Sequence, residues 1–333
     1  MFDRVGGIAG ARGRVALLAL LAALVGMPPL FDSYYHFLLS LMLINVIVAV
    51  GLNLLIGNAG QISLCHSSFM AIGAYATIYL STKLGLNYWL AMPLGGVVAG
   101  AFGCILGLPA VRVRGFYLAV VTLGFLEIIQ IVIEQTPGIT GGVRGMSASR
   151  PELFGVKLRA DLHFYYVILA VTAAALYCAH TLLHSPTGRA FNAIRVSESA
   201  AATLGIPVAR TKLIAFIVAA FYAGIGGGLF ATLVGFIDPL EFGVWTSIRH
   251  VVFIVVGGLG SIVGSAVGAA VLTALPEILR GFKEFSEFVY GGLLLVVLIV
   301  MPRGLVGLWP WWRARGRASP PARTAAVDKA RAA

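Results

Sequence analysis

Charge is what this sequence has least of. Only 11% of its 333 residues are charged, against about a quarter in a soluble domain. Acids are the scarcer sign, 13 against 24 Lys and Arg. So little charge excludes an ordinary soluble core. Cysteine is scarce too. Cys65, Cys104 and Cys178 all lie in apolar segments and read as small packing residues rather than a disulfide or metal set. No phosphate-binding loop of the GxxxxGK[ST] kind is present, so the chain should not hydrolyse ATP itself. It has no Cys/His ligand cluster, and no Ser, His and acid at a suggestive spacing. The sequence therefore names no metal, no cofactor and no catalytic residue. A proton-driven carrier would want several ionisable groups within its apolar runs. Glu127 and His66 are a thin set. No repeat of 20–50 residues is obvious.

What is there is apolar length. The chain is 59% hydrophobic with a mean hydropathy of +0.94. Uncharged runs long enough to cross a bilayer recur from end to end. The reading is an all-α polytopic membrane protein. Its spans are expected at Val15–Phe31, Tyr34–Ile56, Ile62–Ser81, Tyr88–Ala110, Phe116–Glu134, His163–Leu183, Leu213–Gly235 and Phe288–Val300. The first ends without a small-residue cleavage site and reads as a retained span. Trp245–Leu275 is long enough to span, yet glycines from Gly257 to Gly264 break it.

Orientation decides that stretch. With the basic tail 1–14 inside, the Arg112/Arg114 loop and the segment 185–212 also fall inside. If Trp245–Leu275 dips in and returns, the basic tail 303–333 joins them. Most Lys and Arg then lie inside with only Asp3, Glu198 and Asp328 for acids, as the positive-inside rule requires. The same bias explains the net charge of +11 better than nucleic-acid binding does. About eight transmembrane helices plus one re-entrant or broken segment are expected. Both termini are cytoplasmic, the permease domain is 15–302, 135–162 projects on the outer side, and 303–333 is read as mostly disordered.

The segment Ser185–Lys212 is a polar break in this apolar chain. It carries Arg189, Arg195, Arg210 and Lys212 against one acid, Glu198. It reads as a helix, with Ser185 as N-cap, Pro186 at the first helical position, and Gly205 followed by Pro207 as the stop. Phe191, Ile194, Ala201 and Leu204 recur at helical spacing and form one apolar face. Such a helix can be a handle gripped by another protein, or only a basic loop that sets topology.

At these residues the chain resembles a known family. Glu198 to Gly205, ESAAATLG, is similar to the EAA---G cytoplasmic loop of ABC-importer permeases, with Ser199 where the first Ala would stand. TGRAFNAIR, LGIPVARTKLIAF, GLNLLIGNAGQISLCHSSFMAIGAYA, LPAVRVRGFYLAVVTLGFLEI and GGLGSIVGSAVGAA look like the LivM-type permease of branched-chain amino-acid importers. The resemblance covers roughly residues 34–310. It implies a non-enzymatic permease subunit in a bacterial inner membrane. It also implies two ABC ATPase subunits gripping the loop, a second related permease, and a periplasmic solute-binding protein that delivers the amino acid. Arg195, Glu198, Ala201, Ala202 and Gly205 become the ATPase-coupling candidates. Similar permeases serve urea, short amides or other amino acids, so the substrate is the open point. A stand-alone channel or ion-coupled carrier is the alternative class.

Two glycine-interrupted segments, Gly57–Ala76 and Gly257–Ala270, stand one in each half. Paired broken helices point to a substrate route, or small residues merely let helices pack closely. The route candidates are Asn53, Gly60, Gln61, His66, Glu127, Gly257, Gly258 and Gly260. Glu127 either faces the route or reaches the interface. His66 either hydrogen-bonds between helices or joins the pathway. Asn53 and Gln61 either satisfy backbone freed at the break or meet substrate.

Overall fold

The computed structural model describes residues 24–26, 28–30, 32–113, 115–148, 150–153, 156–157, 161–279 and 291–292. Most of the expected spans Val15–Phe31 and Phe288–Val300, and both tails, lie outside the described residues. In chain order the helices are α1 (Ser33–Asn53), α2 (His66–Ile78), α3 (Tyr88–Ala110), α4 (Phe116–Gln135), the single turn α5 (Pro137–Thr140), α6 (Asp161–His184), α7 (Pro186–Val196), α8 (Glu198–Thr203), α9 (Val208–Val234), α10 (Val244–Gly257) and α11 (Ile262–Ile278). Among them run four two-residue strands, β1 (Met146–Ser147), β2 (Glu152–Leu153), β3 (Val156–Lys157) and β4 (Phe236–Ile237). Among the described residues, seven helical segments are long and apolar enough to cross a membrane.

Local chemistry sets the ends. Asn87 caps α3 by accepting from the Trp89 amide at 3.0 Å, and Gly235 in the left-handed region stops α9. α9 is the axis of the bundle and packs along α3, α2 and α1. Small residues make this contact close. Gly73 of α2 lies against the backbone of Gly224 in α9 and leaves no room for a methyl group. Without a hydrophobic drive between helices in lipid, such close backbone packing is what holds neighbours together.

The expected span Ile62–Ser81 is corrected here. α1 runs on through one π-helical turn, Leu54–Asn58, and the chain then turns back without helix from Ala59 to Cys65. α2 starts only at His66, whose ring bonds the carbonyl of Val48. That carbonyl lies roughly 15 Å back along α1 from its end, at 1.5 Å per residue. α2 is therefore a helix begun in mid-bundle. Every residue of it except Ala76 is buried. Protein rather than lipid surrounds it, so its serines and histidine are tolerated, and it is absent from the seven apolar segments.

Trp245–Leu275 is two helices. α10 ends at Gly257, the chain turns through Gly258–Ser261, and α11 returns alongside. Gly257 packs on Gly264 and Gly268 on Phe253, so the arms are antiparallel and in close contact. The stretch expected to dip in and return is thus a helical hairpin, and each arm belongs to a segment that is itself long and apolar enough to cross a membrane. At the other end, β1 pairs antiparallel with β4, Met146 opposite Ile237. This ties the polar segment after α4 to the loop between α9 and α10.

Candidate functional site

The handle forms as two helices, which corrects the single helix read from sequence. Ser185 accepts from the Gly188 amide at 3.4 Å with Pro186 at the first position. Ser197 is extended and starts a second helix by accepting from the Ala200 amide at 3.2 Å. The stop is as expected. Gly205 has φ +79°, and its amide and that of Ile206 bond the carbonyls of Ala202 and Ala201 at 3.0 Å, the pattern of a Schellman cap.

The apolar face is corrected at one residue. Phe191, Ile194 and Ala201 are buried, but Leu204 is 79% exposed, and Val196 beside it is 86% exposed. Ala202 and Ser199 share that exposed surface. Glu198 turns inward instead. Its carboxylate lies 2.6 Å from the Lys212 ammonium, which is 1% exposed at the first turn of α9. The handle is thereby locked to the helix at the bundle's axis.

Arg195, the next-to-last residue of α7, reaches the two glycine breaks. Its Cα would be 3.2 Å from a Cβ placed at Gly60, and its Nη1 would be 2.5 Å from one placed at Gly260. Both glycines have positive φ, +69° and +83°. The tip of the hairpin is seated on the end of α1. The Gly260 amide donates to Asn53 Oδ1 at 2.8 Å, and the Asn58 side chain donates to the Gly260 carbonyl at 3.4 Å. Asn53 thus satisfies a freed backbone group, but of the other break, not its own. Gln61 acts locally and donates to Ala59 O at 3.1 Å. Asn58 was missed by the sequence reading, although it is the second amide one turn along the same helix. Gly257 ends α10 and Gly258 opens the hairpin turn.

His66 is fully buried. Its ring lies 6.3 Å from that of His250, an α10 residue missed from sequence. Beside them Ser67 Oγ and Ser247 Oγ are 2.7 Å apart, and Ser67 Oγ donates to Gly243 O. The start of α2 is thus fastened to the start of α10. Glu127 is not brought to this place; it is exposed on α4 while Leu126 and Ile129 pack inward. Among the described residues no three His, Cys, Asp or Glu are gathered to hold a metal ion.

Between the first half of α1 and the hairpin arms lies a cleft of about 1060 Å³. Its lining runs from Tyr34, at the end of α1 away from the handle, to Asn45 and His250 at mid-bundle. The hairpin tip, bonded to Asn53 and Asn58, lies beyond it toward the handle.

The comparisons agree with one another. The family described as "Branched-chain amino acid transport system / permease component" matches residues 34–298. The high-affinity branched-chain amino acid transport system permease protein LivM of Escherichia coli K12 is 35% identical over 317 residues, 88% of this chain and 75% of the relative. LivM of Salmonella typhimurium is 34% identical over the same extent. LivH of Escherichia coli K12, the permease protein of the same description, is 25% identical over 282 residues, 78% of this chain and 90% of the relative. No solved structure matches. A buried, glycine-packed bundle bearing a capped polar handle is what that likeness spans, and the chain belongs to the branched-chain amino acid transport system permease family.

Proposed function

We propose that this chain is one permease subunit of an ATP-driven importer in a bacterial inner membrane, passing branched-chain amino acids delivered by a periplasmic binding protein. Two ATPase subunits grip the handle, and a second related permease forms the other half of the route. The handle and both termini face the cytoplasm, with about eight crossings and the α10–α11 hairpin dipping in from the outer side. LivM and LivH being two distinct permease proteins of one description supports a paired, non-identical partner.

One observation carries the reading. The handle is joined to the moving parts a pathway needs: Arg195 lies on Gly60 and Gly260 at once, and Glu198 is paired with Lys212 of α9. A push on α7 and α8 reaches the hairpin tip through the first and the bundle axis through the second. The tip seated on Asn53 and Asn58 is then the inner closure, and lifting it opens the way from the cleft to the cytoplasm. The exposed Val196, Ala202 and Leu204 are the surface left for the ATPase, while the buried Ala201 and the Glu198–Lys212 pair fix its shape.

The test is recovery of partners from native membranes. Tagged chain should bring down P-loop ATPases and a second permease. Leu204→Asp together with Val196→Asp should release the ATPases and keep the second permease. Recovery of the chain alone in several mild detergents, with uptake by that chain alone in liposomes, would replace this reading with a carrier or channel. Urea or short amides as cargo would show as uptake that leucine does not compete.

A further inference from the structure

The cleft between α1, α10 and α11 contains a feature that close packing does not require. Arg249 is exposed, yet it lies within Pro239–Gly257, a segment apolar enough to cross a membrane. An arginine near the bilayer centre costs roughly 2.5–3.5 kcal/mol on insertion scales, so it must meet water, protein or a ligand rather than lipid. Arg249 lines the cleft, and so does Glu241. Thr246 holds them to one rim: its hydroxyl donates to the Glu241 carbonyl at 2.8 Å and accepts from Arg249 Nη2 at 3.0 Å. Among the described residues no ion pair joins the two charges. The walls below are apolar, with Phe37, Leu41 and Phe253. At the floor His250 is 2% exposed, and its Nδ1 has no hydrogen-bond partner among the described residues.

We propose that this cleft is an amino-acid vestibule, in which Arg249 takes the α-carboxylate of a zwitterion, Glu241 takes its α-ammonium, and the walls take an aliphatic side chain. The proposal rests on the import reading above and says where the cargo first meets this chain. Arg249 is the one Lys or Arg among the residues lining the cleft, and Glu241 and Glu277 are its two acids. An anion without an amine would meet both acids with nothing to answer them, and a cation without a carboxylate would leave Arg249 opposed; a zwitterion answers both signs. Guanidinium and carboxylate suit each other because the planar donor fork can make two parallel charge-assisted bonds. The vestibule opens away from the handle, on the side where a binding protein would deliver its amino acid. It ends above the hairpin tip that closes the inner side.

The experiment uses the assembled importer, with both permeases, the ATPases and the binding protein, in proteoliposomes with L-leucine. Arg249→Gln should lower initial leucine uptake about tenfold or more, the loss of one charge-assisted pair. Arg249→Lys, which keeps the charge, should recover a substantial part. In a separate complex with Arg249 intact, Val252→Cys in the cleft should react more slowly with N-ethylmaleimide when L-leucine is added. Leucine amide, which has no carboxylate, should not protect it. If Arg249→Gln fails to assemble, the labelling result decides. Uptake by Arg249→Gln equal to wild type, or labelling that leucine leaves unchanged, overturns the vestibule while the import reading stands. Loss of the second permease from the Arg249→Gln complex with no protection by leucine marks the cleft as a subunit interface and also overturns it. A wild-type complex that takes up no branched-chain amino acid overturns the import reading itself.

Discussion

Lys212 is the residue on which the handle turns. A nearly fully buried ammonium is tolerable only while a carboxylate answers it, and Glu198 is that carboxylate. Removing one partner of a buried pair leaves the other charge stranded. Glu198→Gln should therefore lower the stability of the purified complex by about 1–3 kcal/mol, read as a lower midpoint in thermal unfolding. Exchanging the two, Glu198→Lys with Lys212→Glu, should recover part of it. Glu198 stands in the sequence motif, and Lys212 was read only as one of four basic residues of the loop. Their pairing was not legible because it depends on how α8 is laid against α9. Gly260 makes a similar case. Its φ of +83° costs a residue with a side chain roughly 1–2 kcal/mol, and a methyl there would press on the Arg195 guanidinium. Gly260→Ala should leave partner recovery intact and cut ATP-driven uptake severalfold. Equal uptake would mean that the tip contact has no part in transport.

The elements divide by what surrounds them. Helices α1, α3, α4, α6 and α9 were legible to within a few residues, because long apolar runs in lipid need little else to announce them, whereas α10 and α11 were read as one broken stretch, Trp245–Leu275. α2 was placed four residues early, since Ile62–Cys65 is apolar enough to look like span while the chain there is not helical. Its depth is set by His66 bonding Val48 and by Ser67 meeting Ser247, contacts some 180 residues apart in the latter case. The Ser197 break escaped notice for a different reason. A serine followed by Glu198 is an ordinary N-cap with an acid in the first turn, but it falls inside a pattern that already read as one helix. Ser197→Ala should remove the α8 cap at a cost of about 1 kcal/mol. Proteolysis or hydrogen exchange confined to residues 197–204 is the readout, with α7 unchanged. At α2, Gly73→Val should prevent the close approach to Gly224 and abolish accumulation of folded chain in the membrane.

At the scale of the whole molecule, the parts form a line. A cleft opens at one end, a polar pair of histidines lies at mid-bundle, a hairpin tip closes on two asparagines below, and Arg195 of the handle lies across that closure. The membrane-protein class, the hairpin stretch and the handle were all legible, because they are written in charge and hydropathy. The line itself was not. It depends on Gly60 and Gly260, 200 residues apart in sequence, meeting the same arginine. The central claim is that force on the handle reaches the route through Arg195, and one measurement tests it most directly. ATP hydrolysis and leucine uptake are followed together in proteoliposomes that hold the assembled importer, wild type or Arg195→Ala. The account predicts that the variant complex assembles and still hydrolyses ATP, but takes up leucine at least about tenfold more slowly per ATP consumed. An unchanged ratio of leucine to ATP in the assembled variant would contradict it.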